Sequence, residues 1–258
     1  MEIITSSSNG QIKHLKELQN KAKTRRETGT FVAEGRKMAE EACVLGVAKH
    51  LYFSESFVSG NDISWAEGFP CTMVSDSVLK DAADTMNPQG VLAIIKQPSW
   101  DMEEILSRDS LRLLLLEDVR DPGNLGTMMR TAEGAGVDAV LMSKGTVDLY
   151  NPKVVRSTMG SIYRVPYLYR EDFLELIQEL KDRGITVLAA HLKGQAYHDE
   201  ITYPEKVAVL IGNEANGLTD AAADAANLYV KIPMGGQLES LNAAVAAALL
   251  MYQMRRRG

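Results

Sequence analysis

Runs of apolar residues alternate with helical patterns along almost the whole chain, and two regions differ in how cleanly they do so. Leu111–Leu116 is a continuous apolar run that ends in Glu117 and Asp118, as expected of a parallel strand buried on both faces. Further strands are predicted at Ala139–Ser143, from Thr186, from Lys206 and from Leu228, with helices over Asn124–Ala135, Asn151–Ile162, Asp172–Arg183 and Leu241–Arg257. The N-terminal third reads as a smaller alternating unit. Ser8 or Asn9 caps a helix to about Ala22 with Ile12, Leu15 and Leu18 on one face, and strands follow from Thr30, His50, Cys71 and Val91. Helices near Met38–Leu45 and Val78–Ala83 separate those strands. Gln97-Pro98-Ser99 is a break, so the expected division is 1–98, a linker or short helix at 99–110, and 111–258.

This order implies an α/β fold, with a mostly parallel C-terminal sheet covered on both faces and a smaller N-terminal α/β domain. The 258 residues are 45% hydrophobic and 24% charged, ordinary for a globular chain. The longest apolar run, Leu241–Tyr252, is interrupted by Asn242 and falls short of the roughly 20 residues a bilayer requires. The expectation is a soluble, cytoplasmic protein with no membrane partner. Cys43 and Cys71 form no CxxC pair, and His14, His50, His191 and His198 are scattered, so no metal is expected.

Net charge is −6, yet Gln11–Lys37 carries eight basic residues against three acidic ones, a local +5. With Arg255, Arg256 and Arg257 at the end, that distribution permits an RNA partner, and Lys21, Lys23, Arg25, Arg26 and Arg36 are the candidate RNA contacts.

Three segments follow predicted strand ends, where ligand sites of parallel sheets gather. In Glu117–Gly136, Pro122, Gly123 and Gly126 shape a tight turn, and the helix that follows carries Arg130; alone, Asn124 reads as the cap of that helix and Arg130 as a surface charge. In Leu210–Asp220, Gly212 and Gly217 bracket Asn213 and Glu214, and exposed N–H groups there can receive a ligand's polar edge. From Ile232, Pro233 ends a strand, Gly235 and Gly236 loop, and Ser240 or Asn242 opens an Ala-rich helix that is apolar almost all round. Gly134–Ala139 formally fits GxGxxA but follows a helix and precedes a strand, the reverse of the dinucleotide order, and no phosphate-loop motif occurs.

Together these segments resemble the SpoU (TrmH) family of RNA ribose 2′-O-methyltransferases, in the knotted SPOUT superfamily. NxGxxxRTA stands at Asn124–Ala132, GNExxG at Gly212–Gly217 and IPMxGxxxSLN at Ile232–Asn242. The N-terminal third, with FVAEGRKMAEEA at Phe31–Ala42, resembles the L30e-like substrate-binding domain fused to members of this family. The resemblance implies a deep trefoil knot, S-adenosylmethionine as cofactor and a homodimer joined through the closing helix. Ribosomal RNA is the implied substrate, with transfer RNA or a non-catalytic RNA-binding role as alternatives. By the same resemblance Gly212, Ile232 and Leu241 hold the cofactor, with Asn213, Gly217, Met234 and Gly236 in its walls. Arg130 is the central catalytic residue, surrounded by Asn124, Glu214, Ser240 and Asn242.

Overall fold

The computed structural model describes residues 3–255. Arg256 and Arg257, counted above among the basic residues, lie outside the described residues. The chain divides into two compact units, one formed by Met1–Ser99 with Asp148–Tyr163, the other by Trp100–Val147 with Arg164–Gly258.

The first unit opens with β1 (Ile3–Ile4), α1 (Gly10–Asn20) and α2 (Ala22–Thr28), followed by β2 (Thr30–Glu34), α3 (Arg36–Val44) and β3 (Ala48–Ser54). It continues with α4 (Glu55–Gly60), β4 (Cys71–Val74), α5 (Asp76–Ala82) and β5 (Val91–Lys96). The sheet order is β1-β4-β3-β5-β2, with β5 antiparallel to both β3 and β2. The Asn9 side chain accepts from the Gln11 amide to start α1, and Ile12, Leu15 and Leu18 are fully buried beneath it. The helix expected to reach Ala22 stops at Asn20, because Lys21 adopts an extended conformation, and a second helix begins at once.

That second helix overturns one expectation. Arg25, taken as an RNA contact, is only 4% exposed. Its guanidinium donates to the carbonyls of Leu18 (2.7 Å) and Gln19 (2.9 Å) and to the Asp148 carboxylate at 2.5–3.0 Å. Four of its five N–H donors are used internally, so Arg25 is a structural residue of the unit. Lys21 pairs with Glu17 and Lys23 with Glu27 one helical turn away, which leaves Arg26 as the exposed cation of this stretch without a partner among the described residues.

The second unit holds α6 (Met102–Leu106), β6 (Leu111–Leu116), α7 (Pro122–Ala135) and β7 (Ala139–Ser143). The next helix, α8 (Pro152–Thr158), is counted with the first unit, where it packs on β2. Then come β8 (Tyr167–Arg170), α9 (Phe173–Asp182), β9 (Thr186–Ala190), β10 (Ala196–Tyr197) and β11 (Lys206–Ile211), and finally α10 (Asp220–Ala225), β12 (Leu228–Lys231) and α11 (Ala243–Arg255). All seven strands run parallel in the order β10-β12-β9-β11-β6-β7-β8. The 99–110 stretch is the short helix rather than a free linker: Ile105 and Leu106 are buried in this unit's core with β6 and α9. From β6 the chain builds outward on one side and then returns to build on the other, so β6 and β11 meet at a switch point.

Candidate active site

The three motif segments leave the C-terminal ends of β6, β11 and β12, and hydrogen bonds join them. At the end of β6, Asp118 takes a left-handed conformation (φ +53°), unusual for a residue with a side chain. Ser143, at the end of β7, holds it there, donating its hydroxyl to the Asp118 carboxylate (2.7 Å) and accepting the Asp118 amide (2.8 Å). A Cβ at Gly145 would overlap that carboxylate, so no side chain fits over it. The turn aims the Asp118 carbonyl at Asn213, whose side-chain amide donates to it at 2.8 Å.

The same turn sends two backbone N–H groups toward Glu214, from Arg120 (3.1 Å) and Asp121 (3.0 Å). The Asn124 side chain adds a third donor at 3.0 Å. Asn124 is free to do so because Asp121, not Asn124, caps α7, accepting the Asn124 amide at 2.8 Å with Pro122 in the first turn. Asn124 Oδ1 in turn accepts from the Asn242 side chain at 3.0 Å, while Asn242 Oδ1 caps α11 through the amides of Ala244 and Val245. One chain of contacts, Glu214 to Asn124 to Asn242, thus connects all three motifs.

Burial pushes the Glu214 carboxyl up, but the hydrogen bonds from Asn124 and from the backbone of Arg120, Glu214 itself and Asp121 outweigh it, holding the group below the usual carboxylate range. Glu214 is therefore ionised at neutral pH and already engaged by donors. It is built to fix geometry, not to collect a proton.

Beside this chain of contacts lies a cavity of about 310 Å³ at the ends of β9, β11 and β12. Gly212, Asn213, Glu214, Gly217, Ile232, Met234, Ser240 and Leu241 all line it. The Asn213 side chain accepts the Ala215 and Asn216 amides, and a two-way backbone pairing of Asn213 with Gly217 (2.9 and 3.0 Å) closes the turn. Gly217 sits at φ +69°, and a Cβ at Gly212 would overlap the Gly217–Leu218 backbone. The requirement for glycine at Gly212 thus comes from the turn folding back on itself, which in turn leaves the adjacent backbone facing the cavity.

Gly236 is exposed and is not among the cavity-lining residues. Arg130 is exposed on α7 and makes no hydrogen bond or ion pair with any described residue. Among the walls missed in the sequence, beside Lys231, Glu239 and Ala246, are Ala190, His191 and Leu192 at the end of β9. The rule that sites gather at strand C-termini, applied to TVLAAHL, points to them. Asp118 and Ser143 carried no such signal, because their roles depend on a positive φ and a cross-strand contact. Among the described residues no group of three or more His, Cys, Asp or Glu is placed to hold a metal, and no helix is long and apolar enough to cross a membrane.

The SpoU rRNA methylase family model matches residues 112–252, and that of an MRM3-like substrate binding domain matches residues 9–93. The chain is 37% identical over 256 residues to the 23S rRNA (guanosine(2553)-2′-O)-methyltransferase RlmP of Bacillus subtilis, covering 99% of this chain and 100% of that one. An AdoMet-bound rRNA methyltransferase from Sinorhizobium meliloti superposes with a TM-score of 0.86 at 32% identity, covering 98% of this chain and 97% of that one. An RNA 2′-O ribose methyltransferase superposes with a TM-score of 0.83 at 32% identity, with 98% of each chain covered. With its three motifs meeting at the ends of a parallel sheet, the chain belongs to the SpoU rRNA methylase family.

Proposed function

We propose that the chain transfers a methyl group from S-adenosylmethionine to a ribose 2′-hydroxyl of ribosomal RNA. The observation that carries this reading is the Glu214–Asn124–Asn242 chain of contacts set against the cavity at the ends of β9, β11 and β12. The cavity suits the cofactor: Leu192, Ile232, Met234 and Leu241 offer apolar walls, and the Gly212–Gly217 turn presents backbone groups for an adenosine edge. Bound there, the cofactor supplies an activated methyl on a sulfonium. The protein's part is to place the ribose oxygen in line and to favour the charge that develops on it.

Arg130 suits that electrostatic part. A guanidinium offers only N–H donors, so Arg130 acts as a donor to the substrate's phosphate and ribose oxygens. Glu214 and Asn242 position Asn124 at the start of the same helix, and Ser240, exposed on the cavity wall, can bond the ribose hydroxyl. The knotted threading of the family belongs to the same reading. So does assembly with a second copy of the chain in the cytoplasm: Val245, Leu249 and Tyr252 leave an apolar face of α11 exposed. Transfer of labelled methyl from S-adenosylmethionine to purified ribosomal RNA, with transfer RNA and an Arg130→Ala enzyme as controls, tests the proposal. Labelling of transfer RNA alone, or of neither RNA, would overturn it.

A further inference from the structure

The first unit contains a second cavity, about 270 Å³, lined by Ser54, Ser56, Asp76, Lys80, Asn87 and Gln89. Its construction is specific. Asp76 and Lys80 stand one turn apart on α5, and both line the cavity without forming an ion pair with each other. Asp76 accepts the Ser56 hydroxyl (2.6 Å) and amide (3.3 Å) through Oδ1, and a carboxylate has capacity for about four bonds, so acceptor sites remain. Hydrogen bonds from Ser56 and Ser54 hold Asp76 below the usual carboxylate range, so it is charged. Lys80 has no hydrogen-bond or ion-pair partner among the described residues.

The far wall is a loop fixed at both ends. Thr85 donates its hydroxyl and amide to Glu34, and Gln89 Oε1 accepts the Arg36 amide at 3.2 Å. Gly90 (φ +90°) lies where a Cβ would overlap Phe57 and meet Ser54, so the loop is drawn close to β3. Between the anchors Met86 projects with 86% of its surface exposed, and Asn87 turns toward the cavity. Gln89 also lines a shallow groove beyond the cavity rim with Lys37, which has no partner among the described residues, and with Arg36, which pairs with Glu40 one turn on.

We infer that this cavity receives an unpaired guanine of the RNA substrate, with Asp76 and Lys80 reading its edge and Lys37 holding an adjoining phosphate. Guanine presents N1–H and N2–H₂ donors beside the O6 acceptor, complementary to a carboxylate beside an ammonium. Adenine presents an unprotonated N1 at the same place and would set an acceptor against Asp76. An exposed thioether at the rim offers a polarizable surface for the ring face. The inference rests on the RNA-methyltransferase reading, and it places base recognition on α5 rather than at Arg25 of α2, which is buried.

The test uses the full-length protein and oligouridylates carrying one central guanosine or one central adenosine, with free GMP as a further probe. The guanosine oligomer binds about tenfold more tightly than the adenosine one, the size of one good base contact. Asp76→Asn, which keeps the Ser56 acceptor but places an amide donor against the guanine donors, abolishes that preference. It also raises the KM for ribosomal RNA about tenfold with kcat and cofactor affinity unchanged. Lys80→Gln produces a smaller shift in the same direction. Equal binding of the two oligomers, an unchanged KM in Asp76→Asn, or GMP binding as tightly as the oligomer would each overturn the inference. If wild-type enzyme methylates ribosomal RNA while these results appear, only the guanine cavity fails; if it labels no RNA, the oligomer binding still decides the cavity.

Discussion

Glu214 provides the sharpest perturbation of the site. Two donors, the Asp121 amide and the Asn124 side chain, address Oε1, and the Arg120 amide addresses Oε2. In Glu214→Gln the remaining carbonyl oxygen keeps the first two bonds, while the new amide nitrogen sets a donor against the Arg120 N–H. Hydrogen bonds to a charged group contribute about 1.5–3 kcal/mol, and the partly exposed setting places this loss near the lower end. A loss of about 1.4 kcal/mol expressed in the transition state is tenfold in kcat. Glu214→Ala removes these three bonds, with the longer one from the Asn213 side chain (3.5 Å), and frees Asn124, so kcat falls about a hundredfold if half of the added loss is recovered by water. Steady-state labelling of ribosomal RNA at saturating cofactor measures both variants. Titration gives a further check. Because the folded pKa of Glu214 is depressed below 4.5, its contribution is fully present above about pH 4.5 and is lost as pH falls through the folded value. A Glu214→Gln enzyme with wild-type kcat would refute the clamp, as would a loss confined to cofactor affinity.

Arg130→Ala retains S-adenosylmethionine binding by calorimetry but loses at least about a hundredfold in methyl transfer, the scale of one electrostatic transition-state contact; near-normal turnover would make Arg130 a surface charge. Gly212→Ala forces the Gly217–Leu218 backbone away and abolishes cofactor binding, while circular dichroism shows the remaining fold intact; wild-type affinity would mean that the turn does not shape the cavity. Arg25→Ala strands Asp148 and two carbonyls and costs about 3 kcal/mol or more of stability in denaturant titration, whereas Lys21→Gln with Lys23→Gln changes it by less than about 1 kcal/mol. Leu249→Asp, on the exposed face of α11, converts a dimer to a monomer in light scattering; a wild-type monomer at micromolar concentration would refute the assembly. Ala246→Asp does not test that face, because Ala246 lines the cavity at the ends of β9, β11 and β12.

The parallel unit was legible because its strands are nearly pure apolar runs: LRLLLL, AVLMS and KVAVLI each became a buried strand. Short edge elements were not, since β1 and β10 have two residues each and draw their pairing from β4 and β12. The three motifs marked the right strand ends, yet not how they connect. Asn124 read as a cap because its sequence neighbourhood suits one; the structure gives that role to Asp121 and turns Asn124 toward Glu214 and Asn242. Charge along α1 and α2 was counted correctly, but Arg25 does not belong among the exposed cations, because whether an arginine faces water is decided by tertiary partners, here Asp148 more than a hundred residues away. Glycine was informative for a reason beyond the sequence: Gly212 is required by the folded-back turn.

The position of the transferred methyl decides the central claim. Ribosomal RNA labelled by the enzyme with radioactive S-adenosylmethionine is hydrolysed completely in alkali, which needs a free 2′-hydroxyl to cleave each linkage. Label is recovered in alkali-resistant dinucleotides and disappears with Arg130→Ala. Label recovered in mononucleotides would place the methyl on a base and contradict that claim.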